Sequence, residues 1–319
     1  MTSVGVGKAV RTGGDGARAV LGLDIGGTKI AAGVVDAHGV VHGFLTAPTD
    51  ADAARAVEQL FELGRRAIAE SGLDVEAVGI GCGGPLDSEK GVLIAPLHLP
   101  GWRNVSIAEL AAEAFGRPAV LDNDATAAAA GEHRYGAGRG TRTMVYLTIS
   151  TGVGGGVVLD GVVQRGRSGN GGELGHVTVD WHGRRCRGCG RRGCLEAYCS
   201  GTSIAERAVE AGMEGVTAAD VAEAARAGNE VASRVWDETC EALACGITSI
   251  ANLFEPELVV LGGGVLRTGD QLLAPVREQV AAQVMGPAVS IVAASSGDAV
   301  GVVGAATVAY ERLNATLTN

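Results

Sequence analysis

The chain has 319 residues, 46% hydrophobic and 19% charged, with 36 acidic against 26 basic side chains. That length and composition allow two domains with sizeable cores and exclude a disordered chain. The net charge of −10 argues against nucleic acid or an anionic membrane as main partner, and no uninterrupted apolar stretch is long enough to span a bilayer.

Residues 1–18 are rich in Gly, Ser and Thr, lack the apolar block of a signal peptide, and read as a loose tail. Residues 19–24 (AVLGLD) form a buried-strand pattern. Gly26 and Gly27 then turn the chain, and residues 29–35 return as the second strand of a hairpin. A third strand near 40–44 precedes a helix over 51–71, where Ala54, Val57, Leu60, Phe61 and Gly64 recur at helical spacing. A short strand follows at 78–81. Ser106 reads as the N-cap of a helix to about 115, with Glu109 in the capping-box position. A strand at 119–121 leads directly into a helix at 124–134.

The pattern then restarts: a strand at 143–149, a glycine turn at 152–156, and a second strand at 157–160. Two such units suggest two domains of related topology, each contributing one phosphate-facing hairpin. Helices are expected at 202–213, 217–226 and 229–253. A strand at 258–261 ends in Gly262, Gly263 and Gly264. A helix at 271–285, a strand at 290–293 and a final helix at 300–314 close the chain. The expected division is a smaller α/β domain at 19–123 and a larger one at 124–304, with the last helix, about 305–319, packing back on the smaller. The 51 glycines cluster between apolar runs, where they read as turns and close backbone approaches to a ligand.

Three glycine segments and one carboxylate segment carry the chemistry. In residues 24–29 (DIGGTK), Gly26 and Gly27 let backbone N–H groups approach phosphate oxygens, and Thr28 and Lys29 add donors. Asp24 at the strand end suits hydrated Mg²⁺, which prefers oxygen ligands. Residues 148–156 (TISTGVGGG) repeat the design. An ordinary glycine hairpin is the plain alternative for each, and its occurrence twice favours phosphate. Residues 256–264 (PELVVLGGG) leave room for an adenine or ribose against the backbone. Between the first two lies LDND at 121–124, at a strand end opening onto a helix, where ligands bind in α/β folds. A carboxylate there can accept the proton of an attacking sugar hydroxyl, or cap the helix. Asp122 and Asp124 are candidates to divide the two roles.

His176, Cys186, Cys189 and Cys194 fall within 19 residues and match a tetrahedral Cys₃His zinc site. Four protein ligands leave no open position, so the metal is expected to be structural. Arg184, Arg185, Arg187, Arg191 and Arg192 are expected to favour thiolates. Cys240 and Cys245 lie in a helical apolar pattern and read as core residues. Metal-type rather than disulfide-type cysteine spacing points to a reducing compartment, the cytoplasm.

In this order, over residues 20 to about 309, these motifs resemble the ROK family of sugar kinases and related repressors. The most specific part is 173–176 with 186–196, through Tyr198, Ser200 and Gly201. The resemblance implies a two-domain α/β, actin-like ATPase (RNase H-like) fold with ATP and sugar in the cleft between domains. It places Asp24, Gly26, Gly27, Thr28 and Lys29 in the first phosphate loop, Thr151 and Gly152 in the second, and Gly262 and Gly263 at the nucleotide. Asn123 and Asp124 match its sugar-binding pair, with Asp124 the general base. Glu173, His176 and Glu196 match its sugar contacts, and Gly84 lies in a further sugar-lining loop.

Two departures stand out. The family usually has one residue between its first two cysteines, where this chain has Arg187 and Gly188. The loop at 96–102 carries His98 where Asn is common. The implied activity is transfer of the ATP γ-phosphate to a hexose, glucose to glucose 6-phosphate. N-acetylmannosamine, N-acetylglucosamine, other hexoses and a cyclitol are alternatives, and polyphosphate is an alternative donor. The implied assembly is a homodimer or homotetramer. A sugar-responsive repressor is a rival class, but only 23 residues precede Asp24 and they show no helical apolar pattern. A sugar-binding protein without catalysis is a third reading, opposed by the presence of both Asp24 and Asp124.

Overall fold

The computed structural model describes residues 18–317. The expected tail therefore lies outside the described residues, apart from Arg18. The chain forms β1 (Ala19–Ile25), β2 (Lys29–Asp36), β3 (Val41–Pro48), α1 (Ala53–Ser71), β4 (Val75–Cys82), a small hairpin of β5 (Leu86–Asp87) and β6 (Val92–Leu93), α2 (Ile107–Phe115), β7 (Ala119–Asn123) and α3 (Asp124–Tyr135). It continues through β8 (Met144–Ile149), β9 (Val153–Leu159), β10 (Val162–Val163), α4 (Glu196–Cys199), α5 (Gly201–Glu210), α6 (Ala218–Arg226), α7 (Glu230–Phe254), β11 (Leu258–Gly262), α8 (Asp270–Gln283), β12 (Ser290–Ala293) and α9 (Val300–Leu317).

Two five-stranded sheets result, ordered β3-β2-β1-β4-β7 and β10-β9-β8-β11-β12. Each places an antiparallel three-stranded meander beside two parallel strands, so the repeated hairpin of the sequence belongs to a repeated sheet. Strand alternation supplies each sheet with two apolar faces. In the first, Leu21, Leu23 and Ile25 face Ala56 and Leu60 of α1, while Val20 and Ala77 face Val302 and Ala306 of α9. In the second, Val145, Leu147 and Ile149 pack with Leu243 and Ile247 of α7, and Met144 and Tyr146 with Ala128–Ala130 of α3. Among the described residues, no helix is long and apolar enough to cross a membrane.

Many of the glycines serve helix packing rather than ligand approach, a correction to the sequence reading. A Cβ at Gly22 would sit 2.2 Å from the Val302 carbonyl oxygen, and one at Gly79 would sit 1.8 Å from that of Ala305, so α9 rests on bare backbone. The expected glycine turn at 152–156 is corrected likewise. The turn is 150–152, and Gly154, Gly155 and Gly156 lie inside β9. Side chains at Gly154 and Gly156 would strike Ala125 and Ala129 of α3, and one at Gly155 would strike Leu174. The α3 helix touches α9 as closely: a Cβ at Gly131 would lie 3.0 Å from the Gly304 Cα. Ser106 does precede α2, but its side chain makes no capping bond. Its carbonyl instead accepts the Leu110 N–H at 3.0 Å, and the expected capping box is absent.

Candidate active site

Parallel register places Asp24 of β1 opposite Gly81 of β4, and Gly81 opposite Asp122 of β7. Asp124 opens α3 one residue beyond the end of β7. A Cβ at Gly81 would lie 3.7 Å from the Asp124 Cα and 3.9 Å from Asp24 Oδ1, so the two carboxylates flank this glycine. Gly301, in the first turn of α9, leaves space for the Asp24 carboxylate. Burial, reinforced by the charge of Asp124 and opposed by Lys29, pushes Asp24 up to about 7. Burial also raises Asp124, against the influence of His98 and of the Ala125 N–H. Two oxygen donors that are costly to ionise together suit a hard divalent cation such as Mg²⁺.

Asn123 is the helix cap. Its Oδ1 accepts the N–H groups of Ala125 at 3.0 Å and Thr126 at 3.1 Å, which leaves the amide NH₂ free to donate elsewhere. Asp122 is completely buried and accepts from Arg165 Nε at 2.7 Å. Arg165 Nη2 reaches Glu311 of α9 at 3.0 Å. The expected division of capping and base between Asp122 and Asp124 is therefore revised: Asn123 caps, Asp122 is held in an ion pair, and Asp124 remains available.

The first glycine turn is closed by the Gly26 N–H donating to the Lys29 carbonyl at 3.0 Å. It is braced by Thr49, whose hydroxyl donates to the Gly26 carbonyl at 2.7 Å and whose N–H donates to that of Thr28 at 3.1 Å. Gly27, Thr28 and Lys29 are exposed at its tip. Sequence reasoning missed Thr49, which no local pattern marks. In the second turn, the Ser150 N–H donates to the Gly152 carbonyl at 2.9 Å. The start of α5 pins it: the Gly201 N–H donates to Ser150 at 2.7 Å, and the Thr202 hydroxyl to the Thr151 carbonyl at 2.9 Å. Gly262 and Gly263 follow on the neighbouring strand, but their spaces are taken by the Tyr146 hydroxyl and the Ile149 carbonyl. Open space lies at Gly264.

From the second lobe, Glu173 stands 3.9 Å from His176. Burial raises the Glu173 pKa, opposed by His176 and reinforced by the charges of Asp124 and Glu196, so these carboxylates share one electrostatic neighbourhood. Glu196 accepts the Val153 N–H at 3.0 Å and the Cys186 thiol at 3.3 Å, tying the second turn to the cysteine loop. Gly84 lies across the cleft, its carbonyl accepting the Leu97 N–H at 3.1 Å.

His176, Cys186, Cys189 and Cys194 converge, all ligand atoms lying within 4.8 Å of one another. The Cys189 and Cys194 sulfurs are 3.5 Å apart, and Cys186 Sγ is 3.7 Å from His176 Nδ1. Tetrahedral zinc with Zn–S bonds of about 2.3 Å puts sulfurs about 3.8 Å apart, so the donor set fits. The two-residue gap between Cys186 and Cys189 brings the ligands together, with Gly188 lying against Glu196. The arginines act less on the thiols than expected: Arg184 pairs with Glu210, Arg187 with Glu206, and Arg192 donates to the Gly183 carbonyl. Burial is the largest influence on Cys189 and Cys194 and opposes ionisation, yet hydrogen bonds from the Arg191 backbone and the neighbouring cysteines bring Cys189 below its ordinary value, while Cys194 is raised. Arg191 works against it at both. Cys240 is a core residue as expected, while Cys245 is partly exposed.

Two lobes of like topology, each offering a glycine turn to a cleft lined by half-buried carboxylates, define the actin-like ATPase architecture. The chain belongs to the ROK family, which residues 20–312 match. It is 38% identical to a glucokinase of Thermotoga maritima, over 92% of this chain and 98% of the relative. It is 36% identical to an N-acetylmannosamine kinase of Citrobacter koseri, over 86% and 92%. Among solved structures it resembles a ROK hexokinase of Thermus thermophilus, with 39% identity, TM-score 0.82 and coverage of 93% and 99%. It also resembles a ROK glucokinase of Streptomyces griseus in complex with glucose and AMPPNP, with 34% identity, TM-score 0.79 and coverage of 92% and 99%.

Proposed function

We propose that this protein is an ATP-dependent sugar kinase that transfers the γ-phosphate of ATP to glucose, giving glucose 6-phosphate. The observation that carries the reading is Asp124. It lies half-buried just beyond the end of β7, beside Asp24 and within the electrostatic reach of Glu173 from the other lobe, and among the described residues it has no arginine or lysine ion-pair partner such as Asp122 has.

In this reading the turns at 26–29 and 150–152 hold the nucleotide phosphates, with nucleotide space at Gly264. Asp24 would hold hydrated Mg²⁺, which when bound would neutralise phosphate charge. Asp124 accepts the proton of the attacking hydroxyl, and the free amide of Asn123 orients that sugar. Glu173, His176 and Glu196 bind the rest of the sugar, and zinc on His176 and the three cysteines fixes their loop. The transition state is loose, so placement of the hydroxyl matters more than early removal of its proton. The proposed location is the cytoplasm, where ATP is available and all seven cysteines stay as free thiols or zinc ligands.

The test is ADP release from Mg·ATP across glucose, mannose, fructose, N-acetylglucosamine and N-acetylmannosamine. N-acetylmannosamine is included because a relative is named for it. Turnover should be fastest with glucose, and Asp124→Asn should lower kcat by about 10²–10⁴-fold. No turnover with any sugar, or an undiminished Asp124→Asn variant, overturns the reading.

A further inference from the structure

Residues 96–102 form a loop that the small-lobe core anchors at both ends. Leu99 and Trp102 are 3% and 2% exposed, and the Trp102 N–H donates to the Leu99 carbonyl at 3.2 Å. Between these anchors and the Leu97 N–H bond to Gly84, the chain has little freedom at His98. Its imidazole occupies a slot walled by two glycines. A Cβ at Gly83 would lie 2.1 Å from His98 Cε1 and 3.1 Å from each ring nitrogen, and a Cβ at Gly27 would lie 3.2 Å from His98 Cδ2. Gly27 is the tip of the first phosphate turn, and Gly83 precedes the sugar-lining Gly84. The ring thus lies between the place where the nucleotide phosphates bind and the place where the acceptor binds. It also acts electrostatically on Asp124, favouring its ionised form. Its ring nitrogens make no hydrogen bond to protein among the described residues, although the ring is partly buried.

We propose that His98 is a further catalytic residue, donating a ring N–H hydrogen bond to the phosphoryl group as it passes from nucleotide to sugar. The group in transit spreads negative charge over its oxygens and is flanked here by two carboxylates, Asp24 and Asp124. A donor seated between the phosphate turn and the base lowers that repulsion only while the phosphoryl group is in the gap. Its effect therefore falls on kcat rather than on sugar binding. No proton is transferred by His98, and Asp124 keeps the role of base.

The assignment rests on the kinase reading, and the test separates the two. Steady-state ADP release is measured for the wild type, His98→Ala, His98→Asn, Gly83→Ala and the Gly83→Ala/His98→Ala double variant, with calorimetric glucose binding confirming an intact cleft in each. Loss of the donor should lower kcat by about 10²-fold, as for other donors to developing anions. The KM for glucose should stay within about threefold, and His98→Asn, which keeps an N–H donor, should recover part of the rate. Gly83→Ala should reproduce the defect by evicting the ring, yet add less than about threefold in the His98→Ala background. A His98→Ala variant within about threefold of wild-type kcat overturns the assignment, as does a raised KM at unchanged kcat. So does a Gly83→Ala effect of equal size in both backgrounds. A wild type that turns over no sugar removes the kinase reading, and this assignment with it.

Discussion

Asp24→Asn should make the ligand-free protein more stable at pH 8 while abolishing its turnover. The unfolded chain ionises this carboxyl near 3.8, whereas burial and the charge of Asp124 push it to about 7 in the fold. Between those values the native protein holds a proton that the unfolded chain has released. Native stability therefore falls as pH rises from about 4 to about 7, and the penalty is complete above that. The difference corresponds to about 4 kcal/mol at most. Because Asp24 is partly open to the cleft, water reduces the figure, and about 2–4 kcal/mol is expected. An amide does not ionise and escapes the penalty. Urea unfolding of both proteins at pH 4, 6 and 8 without divalent cations is the assay. The free energies should nearly coincide at pH 4 and separate steadily to pH 8, and Mg²⁺ with nucleotide should narrow the gap by stabilising the wild type. Equal stability at pH 8, or a gap that does not change from pH 4 to 8, refutes the electrostatic argument.

Arg165→Met should cost about 3–5 kcal/mol in denaturant unfolding, because it strands the fully buried Asp122 carboxylate. Adding Asp122→Asn should return much of that, and a loss under about 1 kcal/mol contradicts the reading. Glu132 of α3 is completely buried, which opposes its charge. The Ser296 side chain and the N–H groups of Ala137, Ser296 and Ser295 nonetheless hold its pKa below the usual value of 4.5. Its contribution is therefore present above pH 4.5 and lost as pH falls through the lower folded value. Glu132→Gln should cost about 2 kcal/mol at pH 7, and the gap should close in acid; a gap unchanged at pH 3 counts against it. Elemental analysis should find one zinc per chain in the wild type and far less in Cys194→Ser, with glucose affinity falling in parallel. Metal-free protein with full turnover contradicts the structural role.

What could be read in advance was what is local. The hairpin of β1 and β2, the helices α1 and α7, and the Cys₃His group each lie within a short run of sequence, where periodicity or spacing reports them. What was missed depends on partners far along the chain. Gly154 and Gly156 look like turn residues until Ala125 and Ala129 of α3 are seen against them. Asp122 looks like a base or a cap until Arg165, 43 residues on, is seen to hold it. Thr49 braces a turn 23 residues earlier with no pattern to mark it. Ser106 shows the opposite failure: the right residues at the right spacing leave the cap to the backbone alone.

The crossing of α3 and α9 joins the two sheets, and its surfaces are nearly smooth. Alanines and glycines meet at its centre, Gly304 against the backbone of Ala127 and of Gly131, and toward the C-terminal ends the Arg134 guanidinium rests over the Tyr310 ring. Ridges locked into grooves must climb over one another to move, whereas such a surface can swivel through a few degrees without repacking. The crossing is thus a bearing, and its shaft is α9, whose first turn lies against Asp24. A small rotation about it would shift Asp24 relative to the opposite lobe, so that lobe movement and the geometry around Asp24 would be geared together at a single point.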